Sequence, residues 1–177
     1  MNFLAMDFET ASSEPWSAVS LGLTIVRNNR IAQNWYSLIK PETAFSYWNT
    51  EINGLTADDV LDSPKFPEVW ADIKNLYNDY PIVVGHNIRF DNNVLKQTLN
   101  YYGLKVPRYL SLDTVSLSRK FHPEMVNHKL DTVVSDLGLF LEHHHNAADD
   151  AQASAQILIY EIEHFGEERV KDFVKLV

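Results

Sequence analysis

Asp7 and Glu9 are the first residues in the chain placed to do chemistry. They end a short apolar run, Asn2 to Phe8, that reads as a buried strand. Positions i and i+2 of a strand point to one face, about 6.5–7 Å apart along the chain. Two carboxylates so placed beside a core repel each other unless a cation sits between them. At an exposed strand end both are simply solvated, and Asp-x-Glu alone favours that reading.

Two later clusters carry similar residue types. Gly85-His86-Asn87-Ile88-Arg89-Phe90-Asp91 lies where the apolar run Ile82-Val83-Val84 gives way to a helix. Such strand ends are where α/β sheets gather their sites. A carboxylate in a first helical turn, as at Asp91, is also favoured by the helix dipole with no other role. His86 and Asn87 read equally well as turn residues. In His143-His144-His145-Asn146-Ala147-Ala148-Asp149-Asp150-Ala151, the first two histidines read as solvated loop. His145 differs because Asp150 follows five residues on, just inside a helix, among alanines small enough for close backbone approach. Asp149 is the expected N-cap.

The elements that must position these clusters follow from periodicity. Val19 to Val26 and Ile31 to Ile39 flank Asn28-Asn29, a turn signal, and predict an antiparallel hairpin. Pro41 to Asn53 reads as irregular, and Gly54-Leu55-Thr56 as the opening of a short helix capped by Thr56. Helical spacing predicts helices over Phe66 to Tyr77, Phe90 to Tyr102, Thr114 to Phe121, Leu130 to Leu137 and Asp149 to Phe165. Ile82 to Val84 and Tyr109 to Leu112 read as strands, and Phe173 to Val177 as part of a final helix. Trp16, Tyr47 and Trp48 are expected to pack in the core. Three strands followed by alternating helices and strands predict an α/β layered fold with a mixed sheet.

Composition sets outer limits. The 177 residues suit one domain, 1–177, and 45% hydrophobic content supports a sizeable core. No apolar run is long enough to span a membrane, and the first residues are too acidic for a signal peptide. The absence of cysteine excludes disulfides and thiolate metal sites and makes the cytoplasm the expected location. Fifteen basic and twenty-four acidic side chains give a net charge of −9. That sign opposes a tight electrostatic grip on duplex nucleic acid. It is compatible with phosphate approaching through cations held by some of the acids.

Taken together and in order, Asp7-Phe8-Glu9-Thr10-Ala11, His86-Asn87 with Phe90-Asp91, and His145 with Ala147, Asp150 and Ala151 form a pattern. Gly54-Leu55-Thr56, Asp113-Thr114 and His128-Lys129-Leu130-Asp131-Thr132 add to it. The pattern resembles the DEDDh, or DnaQ-like, 3′–5′ exonucleases, in particular small stand-alone bacterial proteins similar to the epsilon subunit of DNA polymerase III. The likeness covers about residues 2 to 165.

The resemblance implies a ribonuclease H-like three-layer fold with Asp7, Glu9, Asp91 and Asp150 as ligands of two divalent ions, Mg²⁺ or Mn²⁺, and His145 as general base. It implies hydrolysis of the terminal phosphodiester, DNA being the favoured substrate, at single-stranded 3′ ends, with release of nucleoside 5′-monophosphates. Thr10 and Ala11 would meet the terminal nucleotide through their backbone. Asn87 and Phe90 would line its pocket, Phe90 serving either as a stacking surface or as a core anchor. Asn53 stands where the family often has histidine, and Ile88 and Arg89 replace small residues. Action on RNA or short oligoribonucleotides is the alternative substrate. The alternative of another class is a polymerase-associated proofreading or binding subunit, to which the short stretch after Asp150 gives no support.

Overall fold

The computed structural model describes residues 1–177. Six strands form one sheet: β1 (Phe3–Thr10), β2 (Ala18–Arg27), β3 (Arg30–Leu38), β4 (Ile82–Gly85), β5 (Leu110–Asp113) and β6 (Lys175–Leu176). Their spatial order is β3-β2-β1-β4-β5-β6. β1 pairs antiparallel with β2 and parallel with β4, so the sheet is mixed. The predicted hairpin is present. Asn28 and Asn29 take φ of 50° and 58°, the left-handed pair that a tight turn between right-twisted strands requires.

Eight helices accompany the sheet: α1 (Tyr47–Asn53), α2 (Phe66–Ile73), α3 (Leu76–Asp79), α4 (Arg89–Tyr101), α5 (Thr114–Phe121), α6 (Leu130–Asp136), α7 (Ala147–Phe165) and α8 (Glu167–Lys171). Alternation along β1 sorts them into two layers. Leu4, Met6 and Phe8 join a core with Phe66 and Ile73 of α2 and Val94, Leu95 and Leu99 of α4. Phe3 and Ala5 point the other way and pack with Leu117 of α5 and Ala155, Leu158 and Ile162 of α7. The next two residues on that second face are Asp7 and Glu9. The strand therefore delivers them, by period alone, to the layer that holds α7.

Four local expectations give way. The stretch before Gly54 is not wholly irregular, since α1 forms there and Gly54 ends it at φ 74°. Thr56 caps no helix; its N–H and hydroxyl both donate to Asp59 Oδ2, at 2.7 and 2.6 Å, beside a single 3-10 turn at Asp58–Val60. The helix predicted from Phe66 to Tyr77 is interrupted between α2 and α3. Finally, the chain end is β6, not a helix, and it pairs antiparallel with β5, which would otherwise leave an open edge. No helix is long and apolar enough to cross a membrane.

Candidate active site

The carboxylates meet at the C-terminal end of β1. Oxygen atoms of Asp7, Glu9 and Asp150 all lie within 4.8 Å of one another. Asp150 comes from the first turn of α7, whose start is held by Asn146: its Oδ1 accepts from Ala148 N–H at 3.0 Å. Asn146, not Asp149, is thus the N-cap. Asp91 arrives from the first turn of α4, and its Oδ1 accepts the Phe8 N–H at 2.8 Å. That bond fastens α4 to β1 between the two strand acids. All four carboxylates line one open cavity of about 550 Å³.

Such crowding is electrostatically costly. Burial, reinforced by Asp91, Asp150 and Glu9, raises the Asp7 carboxyl well above the ordinary range. Burial also raises Asp91, against the opposing Phe8 N–H. Glu9 is pushed up to about 8 by burial and by Asp150, and Asp150 to about 7 by burial, opposed by the His145 N–H. Asp150 Oδ1 is buried and has no hydrogen-bond partner. An orphaned carboxylate oxygen facing other acids fits a hard divalent cation, which offers what the protein withholds: positive charge and oxygen coordination. Asp7, Glu9, Asp91 and Asp150 are the residues that could hold such ions.

The histidine loop closes one side. His145 lies in the left-handed region at φ 67°, and its N–H donates to Asp150 Oδ2 at 3.0 Å. Ring nitrogens of His144 and His145 and an oxygen of Asp150 fall within 4.8 Å of one another. Asp150 is therefore common to the acid cluster and the imidazoles. The His144 ring stacks on that of His145, centroids 3.9 Å apart. An acid cluster able to hold cations, beside an imidazole able to take a proton, is an arrangement for hydrolysing phosphate esters.

The comparisons with known proteins agree with this chemistry. The exonuclease family model matches residues 4–158. The chain belongs to the exonuclease family. Its fold is the ribonuclease H-like fold of solved exonuclease structures. Among curated proteins, the DNA polymerase III PolC-type of Caldanaerobacter subterraneus subsp. tengcongensis is 30% identical over 171 residues, 96% of this chain but 12% of that protein. Thus the chain spans about an eighth of the length of such relatives. Among solved structures, exonuclease X in complex with 5′ overhanging duplex DNA has a TM-score of 0.79 at 22% identity, covering 97% of this chain and 98% of that one. The nuclease domain of 3′hExo bound to rAMP, a DEDDh member, has a TM-score of 0.79 at 16% identity, covering 94% of each.

In this member of the exonuclease family, the other residues expected at the site divide. Asn87, in a left-handed conformation at φ 66°, and Phe90, 45% exposed, both line the cavity; Phe90 is no core anchor. Thr10 and Ala11 lie beside the cavity rather than in its wall. The Thr10 carbonyl accepts from the Asn49 and Asn53 side chains, while Ala11 spends its N–H on Ser17 and its carbonyl on Ser46.

Several participants were not foreseen. His86 is a bridge, not a free turn residue: Nε2 donates to the His128 carbonyl at 2.9 Å, and Nδ1 meets Thr114 Oγ1 at 2.8 Å. Burial lowers its pKa, which keeps it neutral for that role. His144 reaches the cavity, as do Lys129 and Asp131. His143 stays outside and pairs with Asp149 at 3.1 Å. Tyr47 and Trp48, 67% and 73% exposed, are surface residues instead of core, and Trp16 stacks on Tyr101 at the margin. Only the resemblance around His128 to Thr132 could have pointed to Lys129.

Proposed function

We propose that residues 1–177 form one exonuclease domain that removes nucleotides from single-stranded DNA 3′ ends, using Asp7, Glu9, Asp91 and Asp150 to hold two divalent ions, Mg²⁺ or Mn²⁺. The observation that carries this reading is Asp150, whose carboxylate is shared between the Asp7–Glu9 pair and the His145 imidazole. When bound, such ions activate a water and stabilise the departing 3′ oxygen. His145 takes the proton of the attacking water, the task for which an imidazole is suited near neutral pH. The Asp150–His145 N–H bond and the left-handed backbone at His145 hold the ring beside the acids, so little ordering is left for the moment of reaction. Asn87 and the exposed face of Phe90 receive the terminal nucleotide, Phe90 offering a ring on which any base can stack. The products are nucleoside 5′-monophosphates.

Preference for DNA is supported by the name of the polymerase relatives. Preference for unpaired ends is supported by the net charge of −9, which disfavours extended duplex. The test uses 5′-labelled single-stranded DNA and RNA of one sequence, with Mg²⁺ or Mn²⁺. The expected result is a ladder shortening from the 3′ side with monophosphate release, faster on DNA. Internal cleavage, loss of the 5′ label or faster turnover of RNA would contradict the proposal.

A further inference from the structure

Lys129 is the one lysine or arginine lining the acid-bearing cavity, whose wall it shares with Asp7, Glu9, Asp91, Asp131 and Asp150. The cavity belongs to a chain with nine more acids than bases. Yet Lys129 makes no ion pair with any of them, and its side chain is exposed.

Its backbone, by contrast, is fixed from several sides. The Lys129 N–H donates to Asn127 Oδ1 at 2.9 Å, and its carbonyl accepts from Val133 at 3.0 Å in the first turn of α6. The preceding His128 is held twice: its carbonyl by His86 at 2.9 Å and its Nδ1 by Ser118 Oγ at 2.6 Å. His86 in turn lines the cavity and belongs to the loop after β4 that also supplies Asn87. A firmly anchored backbone thus carries an ammonium group that has no ion pair.

We infer that Lys129 binds a backbone phosphate of the substrate strand, the one next to the phosphate being cleaved. This rests on the exonuclease reading above. The cleaved phosphate has the acid cluster and its cations to meet it. The adjoining phosphate remains in the field of an acidic cavity, and screening over about 10 Å leaves remote lysines too weak to help. A lysine suits this contact because a compact charge on a flexible stem holds a phosphate without reading the base.

The test compares wild type, Lys129→Ala and Lys129→Arg on a single-stranded oligonucleotide and on the p-nitrophenyl ester of thymidine 5′-monophosphate, which carries only the phosphate to be cleaved. On the oligonucleotide, Lys129→Ala should raise KM about threefold to tenfold, with a smaller change in kcat. The dependence of log kcat/KM on log salt should flatten by about 0.7, the share of one single-strand phosphate contact. The loss should be several-fold smaller on the ester, and Lys129→Arg should recover most of it. Unchanged KM and salt slope overturn the inference, as does an equal loss on both substrates. A wild-type protein that fails to shorten the oligonucleotide refutes the exonuclease reading itself, a separate and prior failure.

Discussion

The carbonyl of Ala147, at the start of α7, lies so near Gly22 of β2 that a Cβ at position 22 would stand 2.0 Å from its oxygen. Gly22 is the cross-strand partner of Asp7. A missing side chain next to the first acid of the cluster therefore lets α7 descend onto the sheet and bring Asp150 to Asp7 and Glu9. Because the obstacle is backbone, no rotamer change can make room. Gly22→Ala should cost about 1–3 kcal/mol, on the order of 2–10 °C in Tm, and reduce hydrolysis far more than this instability explains. Thermal denaturation beside the ladder assay checks this; unaltered kinetics would mean that the close approach does not set the site.

Removal of divalent ions should make stability depend on pH in a definite direction. Glu9 and Asp150 are raised to about 8 and about 7 in the folded protein, above the usual carboxylate values. The folded state then binds protons more tightly than the unfolded chain. Its stability is greatest below about pH 4 as far as these groups are concerned, and falls as pH rises through 7 and 8. In chelator, Tm should drop by roughly 10 °C between pH 6 and 9, and Mg²⁺ or Mn²⁺ should restore most of it. A Tm in chelator that rises across this interval would contradict the assignment of these acids.

The three adjacent histidines should separate by function. His145→Ala should lower kcat by about 10²–10⁴-fold, the usual range for loss of a general base. His143 faces Asp149 outside the cavity, so His143→Ala should stay within twofold of wild type. His144→Ala should fall between them, since its ring lines the cavity and stacks on that of His145 without accepting the proton in the proposed step. Equal losses at positions 143 and 145 would dissolve the distinction.

Part of this site was legible in sequence and part was not, for physical reasons. Period two along β1 sufficed to place Asp7 and Glu9 on one face, whereas their grouping with Asp91 and Asp150 rested on the resemblance. The hairpin was equally plain from Asn28-Asn29. Lys129, His144 and His86 depend on how loops distant in sequence fold over a strand end, which no local pattern encodes. α1 misled for a different reason: it buries none of its residues and is tethered to Thr10 by Asn49 and Asn53, so its polar side faces inward and Tyr47 and Trp48 face out. The terminal strand β6 was missed because two residues pairing on an edge leave almost no periodic signal.

Asp91 offers the sharpest separation of stability from activity. It is 1% exposed, and one oxygen accepts the Phe8 N–H while its charge opposes Glu9 and Asp150. Asp91→Asn keeps a carbonyl oxygen in place for Phe8 and deletes the buried charge. Where substitution removes repulsion yet preserves the hydrogen bond, the folded state gains. In chelator the variant should melt about 3–8 °C above wild type, while its hydrolysis falls by at least about 10²-fold and added Mg²⁺ stabilises it less. Those three readouts must move together. A variant that is less stable in chelator, with hydrolysis intact, would show that Asp91 is a helix-start acid holding β1 and nothing more.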